Sequence, residues 1–107
     1  MNVTIEKLLK ELQSSLQDMY GDRLDQVVLF GSQARGDAET GSDVDVMVVL
    51  RGAVDPATEI RRTGRITAAL SLNYNKVVSS NFVSADRYLI EQSPLLINVR
   101  GEGVLVK

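Results

Sequence analysis

The sequence contains no cysteine and no histidine among its 107 residues. The lack of cysteine excludes disulfide bonds, thiolate metal sites and cysteine nucleophiles. The lack of histidine excludes imidazole bases, Ser–His–Asp triads and the usual zinc sites. Any chemistry must therefore rest on carboxylates, hydroxyls, basic side chains and the backbone.

Long apolar runs are missing as well, since no stretch approaches the ~20 residues that span a bilayer. The first ten residues, MNVTIEKLLK, include an acid and lack the apolar segment of a signal peptide. We therefore expect a cytoplasmic protein that makes no contact with a membrane.

Positive charge is neither abundant nor strongly clustered. Lysine and arginine number 12 against 14 acidic residues, for a formal charge of −2, so we expect no direct contact with nucleic acid. The densest basic group is Arg61, Arg62 and Arg65. On a helix these side chains would form a solvated face or bind an anion or a partner.

The apolar spacing over residues 5–19 predicts a helix that is capped by Thr4 and ends at Gly21. Its apolar stripe would pack on a sheet or bind a partner. Further patterns predict strands at 26–30, 43–50, 75–84 and 104–106 and helices at 57–72, 85–92 and 94–99. We expect Asp86 to cap the second of these helices. The order predicts an α/β or α+β fold in one domain, residues 1–107, with a mixed β-sheet flanked by helices that we place on one face.

Two acidic residues stand at the start of an apolar strand, in the segment DVDVMVVL at 43–50. Asp43 and Asp45 are two apart, so their side chains leave the same face, with Cα atoms ~6.5–7 Å apart. Such a pair is either solvated or neutralised by a cation, because like charges on one face repel. Carboxylates together with phosphate oxygens suit Mg²⁺, which makes the pair a candidate metal site.

A glycine–serine pair follows the preceding strand. Gly31 permits close approach of the backbone to a ligand, and Ser32 offers a hydroxyl and an amide at the positive end of a helical turn. Arg35 is near enough in sequence to contact phosphate. A Gly–Ser turn after a strand is often only a turn. Joined to the acid pair, it describes a pocket for a metal-bound nucleoside triphosphate.

The segment LFGSQARGDAETGSDVDVMVVL, at residues 29–50, resembles the signature of the polymerase-β-like nucleotidyltransferase superfamily. The wording Gly-Ser-x-Ala-Arg-Gly and Ser-Asp-x-Asp is similar to its minimal nucleotidyltransferase branch, as is the ending SPLLINVRGEGVLV. The resemblance implies the nucleotidyltransferase fold. It also implies transfer of a nucleoside monophosphate, most plausibly AMP from ATP, to a hydroxyl group, with loss of pyrophosphate.

The resemblance assigns roles to particular residues. Asp43 and Asp45 would be the catalytic carboxylates and would hold Mg²⁺. Gly31 and Ser32 would bind the triphosphate. The neighbouring motif residues Arg35 and Ser42 complete the set of nucleotide-binding candidates.

One feature departs from the family pattern. Catalytic members usually supply a third carboxylate from a later strand, yet no Asp or Glu occurs from Arg62 through Ala85. On the matching strand, Ser79 and Asn81 share a face and could offer only neutral oxygens. The general base is unassigned as well.

Two hypotheses therefore stand side by side. In the first, the chain is an antitoxin that transfers AMP to a tyrosine of a partner toxin with a HEPN domain, as the resemblance implies. In the second, it is a catalytically weak or inactive binding module that neutralises or positions its partner by contact. Both predict a hetero-oligomer with that partner, and a homo-oligomer is a further possibility.

Overall fold

Four strands form one mixed sheet, and helices connect them. The computed structural model describes residues 3–39 and 41–107. The strands are β1 (Leu24–Phe30), β2 (Val44–Leu50), β3 (Val78–Ser84) and β4 (Val104–Leu105). The helices are α1 (Val3–Tyr20), α2 (Ser32–Arg35), α3 (Pro56–Tyr74), α4 (Ala85–Ile90) and α5 (Pro94–Glu102), and a 3-10 turn spans Gly21–Arg23. The strand order is β3-β2-β1-β4.

The pairing of the strands confirms the predicted mixed sheet. β1 is antiparallel to both of its neighbours, β2 and β4. β2 and β3 are parallel, because the long helix α3 carries the chain back between them. The site described below forms where β1 ends and β2 begins.

Helices cover both faces of the sheet, so the prediction that they lie on one face is wrong. Alternate residues of a strand point to opposite faces. On β2, Val46 and Val48 belong to the core under α1 and α3, whereas Met47 and Val49 belong to a second core under α4 and α5. The uninterrupted apolar run of β2 reflects this burial on both sides.

The apolar stripe of α1 lies in the core, as predicted. Ile5, Leu8 and Leu12 have no exposed surface, and they pack with the inward-facing valines of β1 and β2. The alternative that this stripe binds a partner is therefore wrong. The stripe is stabilising because each buried leucine-sized side chain removes its apolar surface from water, worth ~1.5–3 kcal/mol.

The N-terminal ends of two helices differ from the prediction. Thr4 is not the N-cap of α1, because the helix already includes Val3. The cap of α4 is Ser84, whose Oγ accepts a hydrogen bond from the Arg87 amide at 3.3 Å, so Asp86 lies in the first turn instead. A serine two positions before Asp86 thus takes the capping role that was expected of the aspartate.

The C-terminal helix is longer than predicted. α5 continues beyond Val99 to Glu102, and Gly103 ends it by donating its amide to the Val99 carbonyl at 2.8 Å. Of the helices in the described residues, none is long and apolar enough to cross a membrane.

A buried charge network holds the end of the sheet farthest from Gly31. Glu59 of α3 is 4% exposed and accepts a 2.7 Å hydrogen bond from the Tyr20 hydroxyl. Arg23 and Arg62 each approach its carboxylate at 3.6 Å. This pairing compensates the cost of burying a carboxylate and fixes α3 against the end of α1.

Candidate nucleotide site

The turn after β1 is built on a glycine in a conformation that other residues rarely adopt. Gly31 has φ 76° and ψ −158°, and Gly36 has φ 79° at the end of α2. Between them, the Gly31 carbonyl accepts hydrogen bonds from the amides of Ala34 and Arg35, both at 3.1 Å. The first amides of a helix have no partner within it, so the start of this turn is open to an acceptor.

The pairing of β1 with β2 brings this turn to the acid pair. Phe30 is the register partner of Asp45, which places Gly31 beside the aspartate. A Cβ built on Gly31 would lie only 2.5 Å from Asp45 Oδ2. The backbone angle favours glycine at this position, and any side chain here would also displace the Asp45 carboxylate.

The two aspartates differ in their surroundings. Asp43 is exposed, whereas Asp45 is half-buried at the start of β2. Burial raises the pKa of the Asp45 carboxyl, the charge of Asp43 raises it further, and the charge of Arg35 lowers it. The site therefore disfavours a second negative charge at Asp45, and a bound cation would relieve that cost.

The third position of the site carries no acid. In the parallel pairing of β2 with β3, the neighbour of Asp45 is Ser79, and the neighbour of Met47 is Asn81. Asn81 donates its side-chain amide to the Val46 carbonyl at 3.3 Å. Within residues 3–39 and 41–107, no group of three or more acidic, histidine or cysteine side chains could hold a metal ion.

The available donors fit a magnesium ion that arrives with its nucleotide. Mg²⁺ is commonly held by one or two carboxylates, with water and substrate phosphate oxygens filling the remaining positions. Asp43 and Asp45 supply the two carboxylates. With the phosphate oxygens of a bound triphosphate, they would complete such a set, and the ion would supply charge neutralisation at the reacting phosphate.

Arg35, at the end of α2, lies between two carboxylates. Its Nε donates to Asp37 Oδ2 at 3.2 Å, and its Nη1 donates to Glu102 Oε2 at 3.4 Å. The hydrogen bond with Asp37 raises the pKa of the guanidinium most, and the hydrogen bond with Glu102 raises it further. Arg35 ends the turn that begins beside Asp45, and its positive charge lowers the pKa of that carboxyl.

The two predicted serines have different surroundings. Ser32 is the first residue of α2, and its carbonyl accepts hydrogen bonds from the Gly36 amide at 3.0 Å and the Asp37 amide at 3.2 Å. Ser42 instead closes a small turn, in which its Oγ accepts a 3.0 Å hydrogen bond from the Glu39 amide. Ser42 thus stabilises the turn that precedes β2. Its contact with nucleotide stays a prediction.

Two residues of this region were not predicted from the sequence. Gln33 is buried in α2, and its side-chain amide donates to the Ser42 carbonyl at 3.4 Å, tying the Gly–Ser turn to the loop before Asp43. Glu102 contacts Arg35 from the C-terminal segment. The signal for Gln33 was its place between Ser32 and Ala34 of the motif. The local sequence carries no signal for the contact of Glu102, which lies 67 positions from Arg35.

The fold and the paired motif define a nucleotidyltransferase. Residues 5–94 match the family model described as Nucleotidyltransferase domain, and the chain belongs to that family. A relative from Methanocaldococcus jannaschii, named "Putative protein adenylyltransferase MJ0141", is 35% identical over 75 residues, which are 70% of this chain and 75% of the relative. A second protein of that organism, whose name differs only in the designation MJ0604, is 44% identical over 50 residues, or 47% of this chain and 48% of that protein. The predicted enzyme class is confirmed.

Solved structures with the same fold include antitoxin complexes. A chain of a toxin–antitoxin crystal structure with AMP-PNP superposes with a TM-score of 0.62 at 19% identity, over 92% of this chain and 72% of that one. A chain from the complex of tri-AMPylated Shewanella oneidensis HEPN toxin with MNT antitoxin gives a TM-score of 0.54 at 17% identity, over 95% of this chain and 71% of that one. The predicted nucleotidyltransferase fold is confirmed.

Proposed function

We propose that this protein transfers AMP from Mg²⁺-bound ATP to a tyrosine hydroxyl group of a partner toxin with a HEPN domain, and so neutralises it. The observation that carries the proposal is the contact between Gly31 and Asp45, in which an open, amide-rich turn lies directly against a paired carboxylate. The adenylyltransferase name of the relatives and the AMPylated toxin in the Shewanella complex support the same activity.

Each site residue has a role in this proposal. Asp43, just before β2, and Asp45, within it, would hold the magnesium ion through their carboxylates. The turn at Gly31 and Ser32 binds the triphosphate through backbone amides and the serine hydroxyl. Arg35 adds a cation to the phosphate side of the site.

The reaction is an in-line displacement at phosphorus. The acceptor oxygen forms a bond to the α-phosphorus, the bond from that phosphorus to the bridging oxygen of the β-phosphate breaks, and pyrophosphate leaves. The acceptor proton passes to solvent. The negative charge of the reacting phosphate would otherwise repel Asp45, so the cation and the cationic side chain make the approach of the nucleotide favourable.

Incubation of the protein with ATP labelled at the α-phosphate, Mg²⁺ and a HEPN-domain toxin as partner tests this activity. We expect label on the partner, no label with Asp45→Asn, and normal labelling with Asp18→Asn, a matched change on the exposed side of α1. Label that appears equally with Asp45→Asn would contradict the proposed site.

A second function, a binding module without vigorous transfer, is favoured by one observation. Ser79 stands beside Asp45 where catalytic relatives usually carry a third acid, and a neutral oxygen holds and activates a second metal ion poorly. In this case the toxin is neutralised by contact alone. Neutralisation of the partner by Asp45→Asn, with no label transferred by wild type, would select this function over transfer.

We further propose that the protein forms a stable complex with its partner in the cytoplasm. The nucleotidyltransferase domain spans residues 5–94, and solved structures that share its fold include toxin–antitoxin complexes, which supports a partner protein as the source of the acceptor. Co-expression with the adjacent gene product should give one co-eluting species in size-exclusion chromatography. A protein that elutes separately from the adjacent gene product would contradict the antitoxin assignment.

A further inference from the structure

The ion pair between Arg35 and Glu102 joins two distant parts of the chain. Arg35 belongs to the turn that follows β1, whereas Glu102 is the last residue of α5, 67 positions later. Asp37, the other partner of Arg35, is only two residues away and moves with the same turn. The ion pair with Glu102 therefore holds the guanidinium against a part of the fold outside its own turn.

The backbone at Glu102 is held firmly against the sheet. The next residue, Gly103, donates its amide to the Val99 carbonyl at 2.8 Å. A Cβ built on Gly103 would collide with the Val28 side chain of β1 and with the Val99 carbonyl oxygen. Only glycine at position 103 permits the chain to lie this close to Val28. This packing fixes the end of α5 against β1, the strand that leads into Gly31.

The two carboxylates approach the guanidinium at different nitrogens. Asp37 accepts from Nε and Glu102 accepts from Nη1. A guanidinium has five N–H donors in a rigid plane, so two contacts fix its orientation and leave donors for a further acceptor. Arg35 ends the same short turn that begins at Gly31, and Gly31 lies directly against Asp45, so the guanidinium belongs to the turn beside the acid pair.

We propose that Glu102 is a positioning residue, which holds the Arg35 guanidinium in the orientation that binds the triphosphate of ATP. The inference rests on the proposed function, because it assigns Arg35 to the phosphate side of the nucleotide site. It gives the Gly-Glu-Gly segment at the end of α5 a role in nucleotide binding as well as in ending the helix.

A double-mutant cycle on the dissociation constant of Mg²⁺-ATP tests this role. We expect Glu102→Gln to weaken binding about two- to fivefold, the range of an exposed ion pair, and to have no further effect when Arg35→Ala is already present. The matched control is Glu91→Gln, which removes a comparable exposed partner of Arg87 on α4 and should leave the dissociation constant unchanged. The melting temperatures without nucleotide, measured on the same samples, should match wild type for the two single Glu→Gln variants.

Each other outcome overturns the inference in a distinguishable way. Unchanged binding by Glu102→Gln would show that Arg35 does not need this anchor, and tighter binding would show that Glu102 competes with phosphate. An equal loss with and without Arg35 would separate Glu102 from the guanidinium. If wild type itself fails to bind Mg²⁺-ATP, the proposed function and this inference fall together, whereas the other results leave the proposed function standing.

Discussion

The two faces of the sheet differ in how far their apolar character extends. Beneath α1 and α3, β2 is buried along its whole length, from Val44 to Leu50. Beneath α4 and α5 the same strand changes along its length, since Val49 and Met47 are buried, Asp45 is half-buried, and Asp43, just before the strand, is exposed. The face beneath α1 and α3 is therefore apolar and buried throughout. The face beneath α4 and α5 becomes polar and less buried at one end, where the candidate nucleotide site lies.

The largest effect should come from the continuous core. Leu12→Ala, which truncates a side chain with no exposed surface, is expected to lower the free energy of unfolding by ~2–5 kcal/mol. The matched control is Leu72→Ala on α3, where the side chain is 84% exposed and the change should stay within ~0.5 kcal/mol. Urea denaturation measures both. If Leu12→Ala leaves stability unchanged but impairs ATP binding by the folded protein, the division between the faces is wrong.

Gly31→Ala should give the next largest effect, because it breaks the close approach at the site end of the second face. The variant meets both an unfavourable positive φ and the Asp45 carboxylate, so we expect a loss of ~2–4 kcal/mol. Gly52→Ala has φ 86° with nothing within 4 Å of a built Cβ, and should cost ~1 kcal/mol. Equal melting temperatures for the two alanine variants would show that contact with Asp45 is not restrictive.

Replacing either aspartate with asparagine should change stability in opposite directions in chelator and in Mg²⁺-ATP. Without metal, Asp43→Asn or Asp45→Asn removes a like-charge repulsion, so stability should be unchanged or higher in chelator. In Mg²⁺-ATP at 100 times its dissociation constant, wild type should gain ~2.7 kcal/mol and the variants less. Thermal melts of three proteins in two buffers compare these states. Destabilisation of both variants in chelator would mean that the acids are structural.

A smaller effect is expected from Ser32→Ala, which removes one hydroxyl while the amides of the turn remain. We expect the binding free energy of Mg²⁺-ATP to weaken by ~0.5–1.5 kcal/mol. Ser14→Ala, on α1 and away from the acid pair, serves as the matched control and should bind as wild type. Titration calorimetry measures both. Unaltered binding by Ser32→Ala would remove the serine hydroxyl from the site.

The smallest expected effect is a change of stability with pH. Burial, and then the charge of Asp43, raise the pKa of Asp45, so the folded protein binds this proton more tightly than the unfolded chain. In chelator, Asp45 thus costs stability above its folded pKa, and the cost vanishes as the pH falls below the ordinary value of 3.8. The stability advantage of Asp45→Asn over wild type should shrink on acidification from neutral pH. An advantage that grows instead would contradict this environment.

The sequence was most informative where a local pattern decides the structure. Alternation along β2 placed Asp43 and Asp45 on one face, and the helical spacing of α1 identified a core helix. The second helical layer was missed because α5 gives no clear stripe: Leu96 and Val99 are buried, but Leu95 is exposed. The continuous apolar run of β2 was the available signal that both faces are covered.

Contacts between residues that are distant in the sequence could not be predicted from local sequence patterns. Gly31 was predicted to admit a ligand, yet the group that requires its bare Cα is Asp45, and only the register of β1 with β2 brings them together. The pairing of Arg35 with Glu102 depends in the same way on the packing of Gly103 against β1. Neither contact leaves a trace in local composition.

The central claim is that the polar end of the second face binds ATP through a magnesium ion held by Asp43 and Asp45. Isothermal titration of ATP, once with Mg²⁺ and once with excess chelator, tests it most directly. Because the carboxylates repel a free triphosphate, we expect the protein to bind ATP with Mg²⁺ and to lose most of its affinity for ATP in chelator. Equal affinity under both conditions would contradict it.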